Sequence, residues 1–243
     1  MNSLVILHPL RDPASFTVSR KAQKIFVHRE QYSLNPSDKN ALEAALRLGG
    51  SVTALALGGA PAEDYLRLAR AIGVQRAVQI KAPAIPDAGA VVSVLQNALE
   101  QLEPVDLILL GAEVLDADLA QVGPRLAQER GWAFIAHAHT LTVDEAVVRA
   151  IVRTPDGFHQ VEADLPAVIA VAPDSNKPRY AHGRDIMRFY QSTEAVEVME
   201  ADEIVSNVEA RGESYPPERE LGVWLSGAVP ELARQVADVI RTS

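Results

Sequence analysis

Cysteine is absent from all 243 residues, which excludes disulfides, thiolate zinc sites, cysteine-ligated iron–sulfur clusters and a cysteine nucleophile within this chain. Any redox role must therefore rest on a bound organic cofactor or on a partner. No run of Lys or Arg exceeds two residues, and 23 Lys plus Arg against 32 Asp plus Glu give a net charge of −9. That balance excludes nucleic acid as a partner and suits neither phosphate backbones nor anionic membrane surfaces. No stretch approaches the roughly 18 continuous apolar residues of a membrane span. The opening MNSLVILHPLRD enters an apolar run with no basic leader and no small-residue cleavage site. A cytoplasmic protein with no direct membrane insertion is the expectation. No internal repeat, dinucleotide fingerprint or P-loop is visible, and none of the serines stands in a G-x-S-x-G context. A catalytic side chain is not expected.

What is present is material for one sizeable core plus an appendage: 48% of residues are apolar and 23% charged. Short apolar runs at Leu4 to Leu7, Val52 to Leu57, Ala77 to Ile80, Leu107 to Leu110 and Ala167 to Val171 read as strands buried on both faces. Between them, apolar residues at three- and four-residue spacings predict helices over Ala41 to Leu48, Ala62 to Ile72, Ala88 to Leu102 and Leu119 to Arg130. This alternation predicts an α/β fold, a doubly wound and mostly parallel sheet. Ala146 to Val152 and His159 to Ala163 flank the turn sequence Thr154-Pro155-Asp156-Gly157, which predicts an added antiparallel hairpin. Beyond about Met187 the chain turns acidic and irregular before a last helix from about Val229 to Ile240. The division expected is therefore an α/β domain over 1–187 and a C-terminal arm and helix over 188–243, the acidic stretch being either a mobile tail or an arm that docks on another surface through Val196, Val198, Ile204 and Val208.

Three segments could carry ligand chemistry. Asn35-Pro36-Ser37-Asp38 opens a helix, with Asn at N-cap, Pro at N1 and Asp at N3. It reads either as a well-capped helix start or as a loop lining a nucleotide pocket. Gly111-Ala112-Glu113-Val114-Leu115-Asp116-Ala117-Asp118-Leu119-Ala120-Gln121-Val122 leaves a central strand and opens a helix, the place where doubly wound folds hold phosphate-bearing ligands. Asp116 and Asp118 also suit a hard cation or an N-cap, but no further acidic or histidine cluster has ligand spacing, so no metal is expected. Leu57-Gly58-Gly59-Ala60-Pro61 permits close approach of a ligand to the backbone, yet serves equally as a plain turn. His137 and His139 are the only neighbouring histidines, and two imidazoles alone make a poor metal site.

Four blocks, in order, resemble the β subunits of electron-transfer flavoproteins: SLNPSDKNALEAALRL (33–48), RLARAIGVQRAVQI ending at Ile80, DLILLGAEVLDADLAQVGPRLAQERGW (106–132) and LPAVIAVAPDSNKPRYAHGRDIM (165–187). The last, with N-x-P-R-Y followed by I-M, is the most specific. The resemblance implies a Rossmann-like adenine-nucleotide-binding fold holding AMP in a structural role. A partner α subunit would hold FAD near the interface. It places AMP against Ile6, Asn35 to Asp38, Leu57 with Gly58, and Gly111 to Val122. It also implies that the acidic tail clasps the α subunit, and that electrons pass from a flavoprotein dehydrogenase to a membrane quinone reductase.

The chain departs from that family's pattern at several points. His8-Pro9-Leu10-Arg11-Asp12 replaces a basic pair, Ala117 interrupts the acidic loop, Val122 replaces a threonine, and Gly183 stands where acyl-CoA-linked relatives carry a docking leucine. The lysine run after I-M is replaced by Arg188-Phe189-Tyr190-Gln191. The expected donor is therefore a dedicated flavoenzyme, for example an amine-demethylating one, rather than a general acyl-CoA dehydrogenase. The alternatives are an electron-bifurcating variant with a second FAD and a stand-alone adenine-nucleotide sensor of universal-stress-protein type. The latter's late glycine-rich signature is missing.

Overall fold

Apolar runs of five or six residues alternate with amphipathic segments along this chain, and they close into a wound sheet covered on both faces. The computed structural model describes residues 1–19, 21–82, 87–102, 104–115, 119–193, 195–201, 206, 208, 222 and 224–242. The strands are β1 (Asn2–Leu7), β2 (Pro9–Arg11), β3 (Phe16–Ser19), β4 (Lys24–Val27), β5 (Tyr32–Leu34), β6 (Ser51–Leu57), β7 (Arg76–Lys81), β8 (Leu107–Gly111), β9 (Ala133–Asp144), β10 (Val147–Thr154), β11 (Gly157–Asp164), β12 (Ala167–Val171) and β13 (Glu197–Glu200). The helices are α1 (Pro36–Leu48), α2 (Ala60–Ile72), α3 (Ala88–Gln101), α4 (Val122–Arg130), α5 (Gly183–Gln191) and α6 (Val229–Thr242).

Nine strands form one sheet in the order β11-β10-β9-β12-β8-β1-β6-β7-β13. Pairing is parallel from β9 across to β13, and β9, β10 and β11 form an antiparallel meander. Successive residues of β1 face opposite sides, as a strand's period of two requires. Val5 and Leu7 join a core with Leu42, Ala45, Leu66 and Ala69 of α1 and α2. Leu4 and Ile6 join a second core with Val92, Leu95 and Leu126 of α3 and α4. The chain moves outward from β1 to β6 and β7, then returns to the other side of β1 with β8. The resulting switch point, between β1 and β8, is where an open α/β sheet leaves a crevice at its carboxyl edge.

The predicted α/β elements are all present, with three differences. The helix expected from Ala41 begins at Pro36. The expected hairpin is two strands of a three-stranded meander; β9 opens on the short apolar run Ala133-Phe134-Ile135-Ala136, and most of its residues are exposed or half-buried. Beyond residue 187 the chain is more regular than its composition suggested. The helix α5 straddles the expected 187/188 boundary, and Arg67 of α2 donates to the Phe189 and Ser192 carbonyls at 2.7 and 2.6 Å, satisfying the open end of that helix. The strand β13 then joins the main sheet beside β7, with Glu197 accepting from Arg76 at 2.8 Å. Most of residues 202–223, Ile204 included, lie outside the described residues. In α6, Val229, Val239 and Ile240 are exposed. No described helix is long and apolar enough to cross a membrane.

Candidate functional site

A cavity of about 590 Å³ opens at the switch point, within the size range of small-molecule sites. Its floor is the carboxyl ends of three strands: Ile6 and Leu7 of β1, Leu57 of β6, and Leu110 with Gly111 of β8. Gly58, Gly59 and Pro61 form one wall and Val114 and Val122 another, with Val91 of α3 beside them.

The buried carboxyl of Asp38 ties these strand ends together. Its Oδ2 accepts the His8 amide at 2.7 Å, and its Oδ1 accepts the Gly111 amide at 2.9 Å and Asn35 Nδ2 at 3.2 Å. Burial raises its pKa to about 6, and the hydrogen bonds from His8, Asn35 and Gly111 only partly oppose that rise. Gly111 must be glycine for lack of space: a Cβ there would come within 2.5 Å of Asp38 Oδ1 and 2.6 Å of Ser37 Cβ. Asn35 occupies the expected N-cap position but makes no side-chain capping bond. Its Nδ2 instead donates across to the Glu113 carbonyl at 2.7 Å, holding the loop after β8.

The structure thus brings Ile6, Asp38, Leu57, Gly58, Gly111, Val114 and Val122 to one cavity. Asn35 and Ser37 are buried behind it, while Pro36, Glu113 and Leu115 are exposed and Ala112 is half-buried, none of them lining it. Leu119, Ala120 and Gln121 form a short 3-10 turn leading into α4. Asp116, Ala117 and Asp118 lie outside the described residues.

Sequence reasoning missed the outer wall. Residues 9–19 and 21–34 form a flap of two small sheets, β2 with β5 and β3 with β4, whose Pro9, Arg11, Phe16 and Tyr32 line the cavity. Tyr65 of α2 secures the flap by donating to the Tyr32 carbonyl at 2.6 Å, and Arg11 pairs with Glu30 at 3.2 Å. The alternation in FTVS and the short apolar run Ile25-Phe26-Val27 were the available signals for its hairpin.

A second cluster fastens the loop after β12 to α1. Asn40 Nδ2 donates to the Asn176 carbonyl at 2.8 Å, and Asn176 Nδ2 returns a bond to the Asn40 carbonyl at 2.9 Å. Glu43 accepts Arg179 Nε at 2.7 Å and Arg47 Nε at 2.6 Å. Burial pushes the Glu43 carboxyl up, but the bonds from Arg179 and Arg47 outweigh it, and its pKa lies below the ordinary value. Asn176 and Arg179 of the N-x-P-R-Y motif therefore anchor the loop, and Tyr180 is left 92% exposed. Glu43→Ala should cost about 2 kcal/mol at neutral pH, the loss of charge-assisted hydrogen bonds. Because the folded pKa is depressed, that contribution is present above the unfolded pKa and disappears as pH falls through the folded one. Denaturant melts at several pH values should show the gap between wild type and variant closing in acid.

Residues 24–204 match the family defined by the electron transfer flavoprotein domain. The chain is 29% identical over 212 residues to the electron transfer flavoprotein subunit beta of Thermoanaerobacterium thermosaccharolyticum, covering 84% of this chain and 80% of that one. It is 30% identical over 226 residues to the acryloyl-CoA reductase electron transfer subunit gamma of Anaerotignum propionicum, covering 84% and 85%. It is 28% identical over 191 residues to the caffeyl-CoA reductase-Etf complex subunit CarD of Acetobacterium woodii, covering 76% and 72%.

Proposed function

The chain belongs to the electron transfer flavoprotein family, and on that premise we propose that it is the β subunit of a heterodimeric cytoplasmic carrier. It holds AMP in the switch-point cavity and helps an α subunit to keep FAD at the interface between the chains. The observation that carries this reading is the convergence of three strand-exit segments, Ile6 to His8, Leu57 to Gly59 and Leu110 to Gly111, on one cavity. An adenine nucleotide suits the residues there. Ile6, Leu57, Val91 and Val122 offer apolar faces to a flat base, while Gly58 and Gly111 present bare backbone. FAD, once bound, supplies the one- and two-electron chemistry; this chain supplies shape, burial and docking surface.

Electrons enter from a dedicated flavoprotein dehydrogenase and leave towards a membrane quinone reductase. Supporting the first half, Gly183, which departs from the docking leucine of the family's acyl-CoA-linked pattern, opens α5, and that helix presents exposed Met187 and Tyr190.

Co-expression with a flavin-binding α subunit should yield a yellow one-to-one heterodimer that releases one AMP and one FAD on denaturation, read by mass spectrometry. The same preparation should be reduced more slowly by general acyl-CoA dehydrogenases than by a dehydrogenase encoded beside it. Two flavins and no AMP would replace the simple carrier with the bifurcating variant. A colourless chain that forms stable homodimers and hydrolyses ATP would overturn the reading altogether.

A further inference from the structure

Gln79 lies between Val78 and Ile80 in β7 and is 2% exposed, a polar residue inside a strand whose neighbours are core. A buried amide has to find partners. The Nε2 of Gln79 donates to the carbonyl oxygens of Gly58 at 2.8 Å and Gly59 at 2.9 Å. The next residue adds a third tie, since the Ile80 carbonyl accepts the Gly58 amide at 3.0 Å. The turn between β6 and α2 is therefore fastened to β7 through both its N–H and its C=O groups.

That turn needs fastening. Gly58 has φ +122°, a conformation open to glycine and to few other residues. Both Gly58 and Gly59 line the cavity, and neither has a side chain, so a ligand there meets main chain alone. The position of that main chain is set from behind by Gln79, which is not among the lining residues. The Oε1 of Gln79 is buried with no partner. A side chain present for packing alone would be apolar and would avoid that unsatisfied acceptor.

We infer that Gln79 is a positioning residue for the cavity: its amide holds the Gly58–Gly59 main chain at the spacing that a bound adenine nucleotide meets, without touching the nucleotide. The role rests on the assignment of AMP to this cavity.

The test uses the full-length chain co-purified with its α subunit and stripped of nucleotide. AMP affinity is measured calorimetrically well below the unfolding temperature, alongside thermal melts. Gln79→Leu should weaken AMP binding about tenfold, the equivalent of roughly 1.4 kcal/mol, with the melting temperature unchanged or raised because the unsatisfied oxygen has gone. Gln79→Glu at pH 8 should weaken binding at least as much, since a carboxylate then faces two carbonyls. As pH falls and the carboxyl regains a proton to donate, its affinity relative to wild type at the same pH should recover. If Gln79→Leu fails to fold, that recovery decides the matter. Wild-type affinity in both variants, or losses that follow the melting temperature with no recovery in acid, would overturn the role of Gln79 alone. A wild-type complex that takes up no AMP would overturn the cavity's assignment together with it.

Discussion

Gly111→Ala is expected to destabilise the fold by about 3 kcal/mol and to strip the cavity of nucleotide. The backbone at Gly111 is not in the left-handed region, so conformational strain is not the cause. The cause is space. An added methyl would meet Asp38 Oδ1 at 2.5 Å, Ser37 Cβ at 2.6 Å and the Asp38 amide nitrogen at 2.9 Å. Those atoms belong to the first turn of α1, which cannot retreat without breaking the Asp38 bonds to His8 and Gly111. Overpacking of about 1–3 kcal/mol then adds to a buried amide left unpaired, a further 1–3 kcal/mol. Gly183→Ala, where nothing lies within 4 Å, is the control and should stay within about 0.5 kcal/mol of wild type. Denaturant melts and the AMP content of the purified complex read both effects. If the two alanine variants unfold alike, the close approach of β8 and α1 is wrong.

Asp38→Asn should change how stability depends on pH. In the folded chain the Asp38 carboxyl has a pKa of about 6 against a usual 3.8, because burial disfavours its charge more than its hydrogen bonds favour it. Between those values the unfolded chain has released the proton and the folded chain still holds it. Stability therefore falls as pH rises through this window, by roughly 3 kcal/mol in all. Asparagine does not titrate, and its Nδ2 cannot accept a bond, so one of the His8 and Gly111 amides loses its partner, whereas the neutral carboxyl that the wild type holds near pH 4 keeps accepting capacity on both oxygens. The variant should be the less stable protein near pH 4, and its stability relative to wild type should rise by roughly 3 kcal/mol on going to pH 8. Taking the difference between the two proteins cancels the distant titrating groups they share. AMP affinity should fall in the variant at neutral pH, where the wild-type carboxylate holds both strand ends. Parallel stability profiles between pH 4 and pH 8 would show that Asp38 is not the buried, desolvated group described.

These predictions, and the role of Gln79, turn on contacts between residues far apart in the chain. Asp38 and Gly111 are 73 residues apart, Asn35 and the Glu113 carbonyl 78, and Gln79 and Gly58 21. The turn residues Gly58 and Gly111, the N-cap position of Asn35 and the strand before each loop were legible, because they answer to local backbone rules. Asn35 to Asp38, which the sequence reads as ligand contacts, also hold the chain's own backbone. Asp38 does line the cavity, but its oxygens accept backbone amides of its own chain, and Asn35 holds the loop after β8. Nothing within ten residues of Gln79 marks the turn that it holds. The flap over residues 9–19 and 21–34 escaped notice because its strands are only three or four residues long and largely exposed, leaving little periodicity to read.

The amino-acid order alone determined the alternation of strands and helices, the three loops worth watching, the absence of thiol chemistry and the likeness to a family. Each of these depends on residue type and short-range spacing, which act before the chain has a shape. The tertiary structure alone decided that β1 and β8 lie side by side, that the flap closes over their ends, that Asp38 ties those ends together within the cavity, and that Gln79 holds one wall from behind. Those outcomes depend on register between strands distant in the chain, and short-range spacing carries no information about which distant backbone amide or carbonyl a buried side chain will meet.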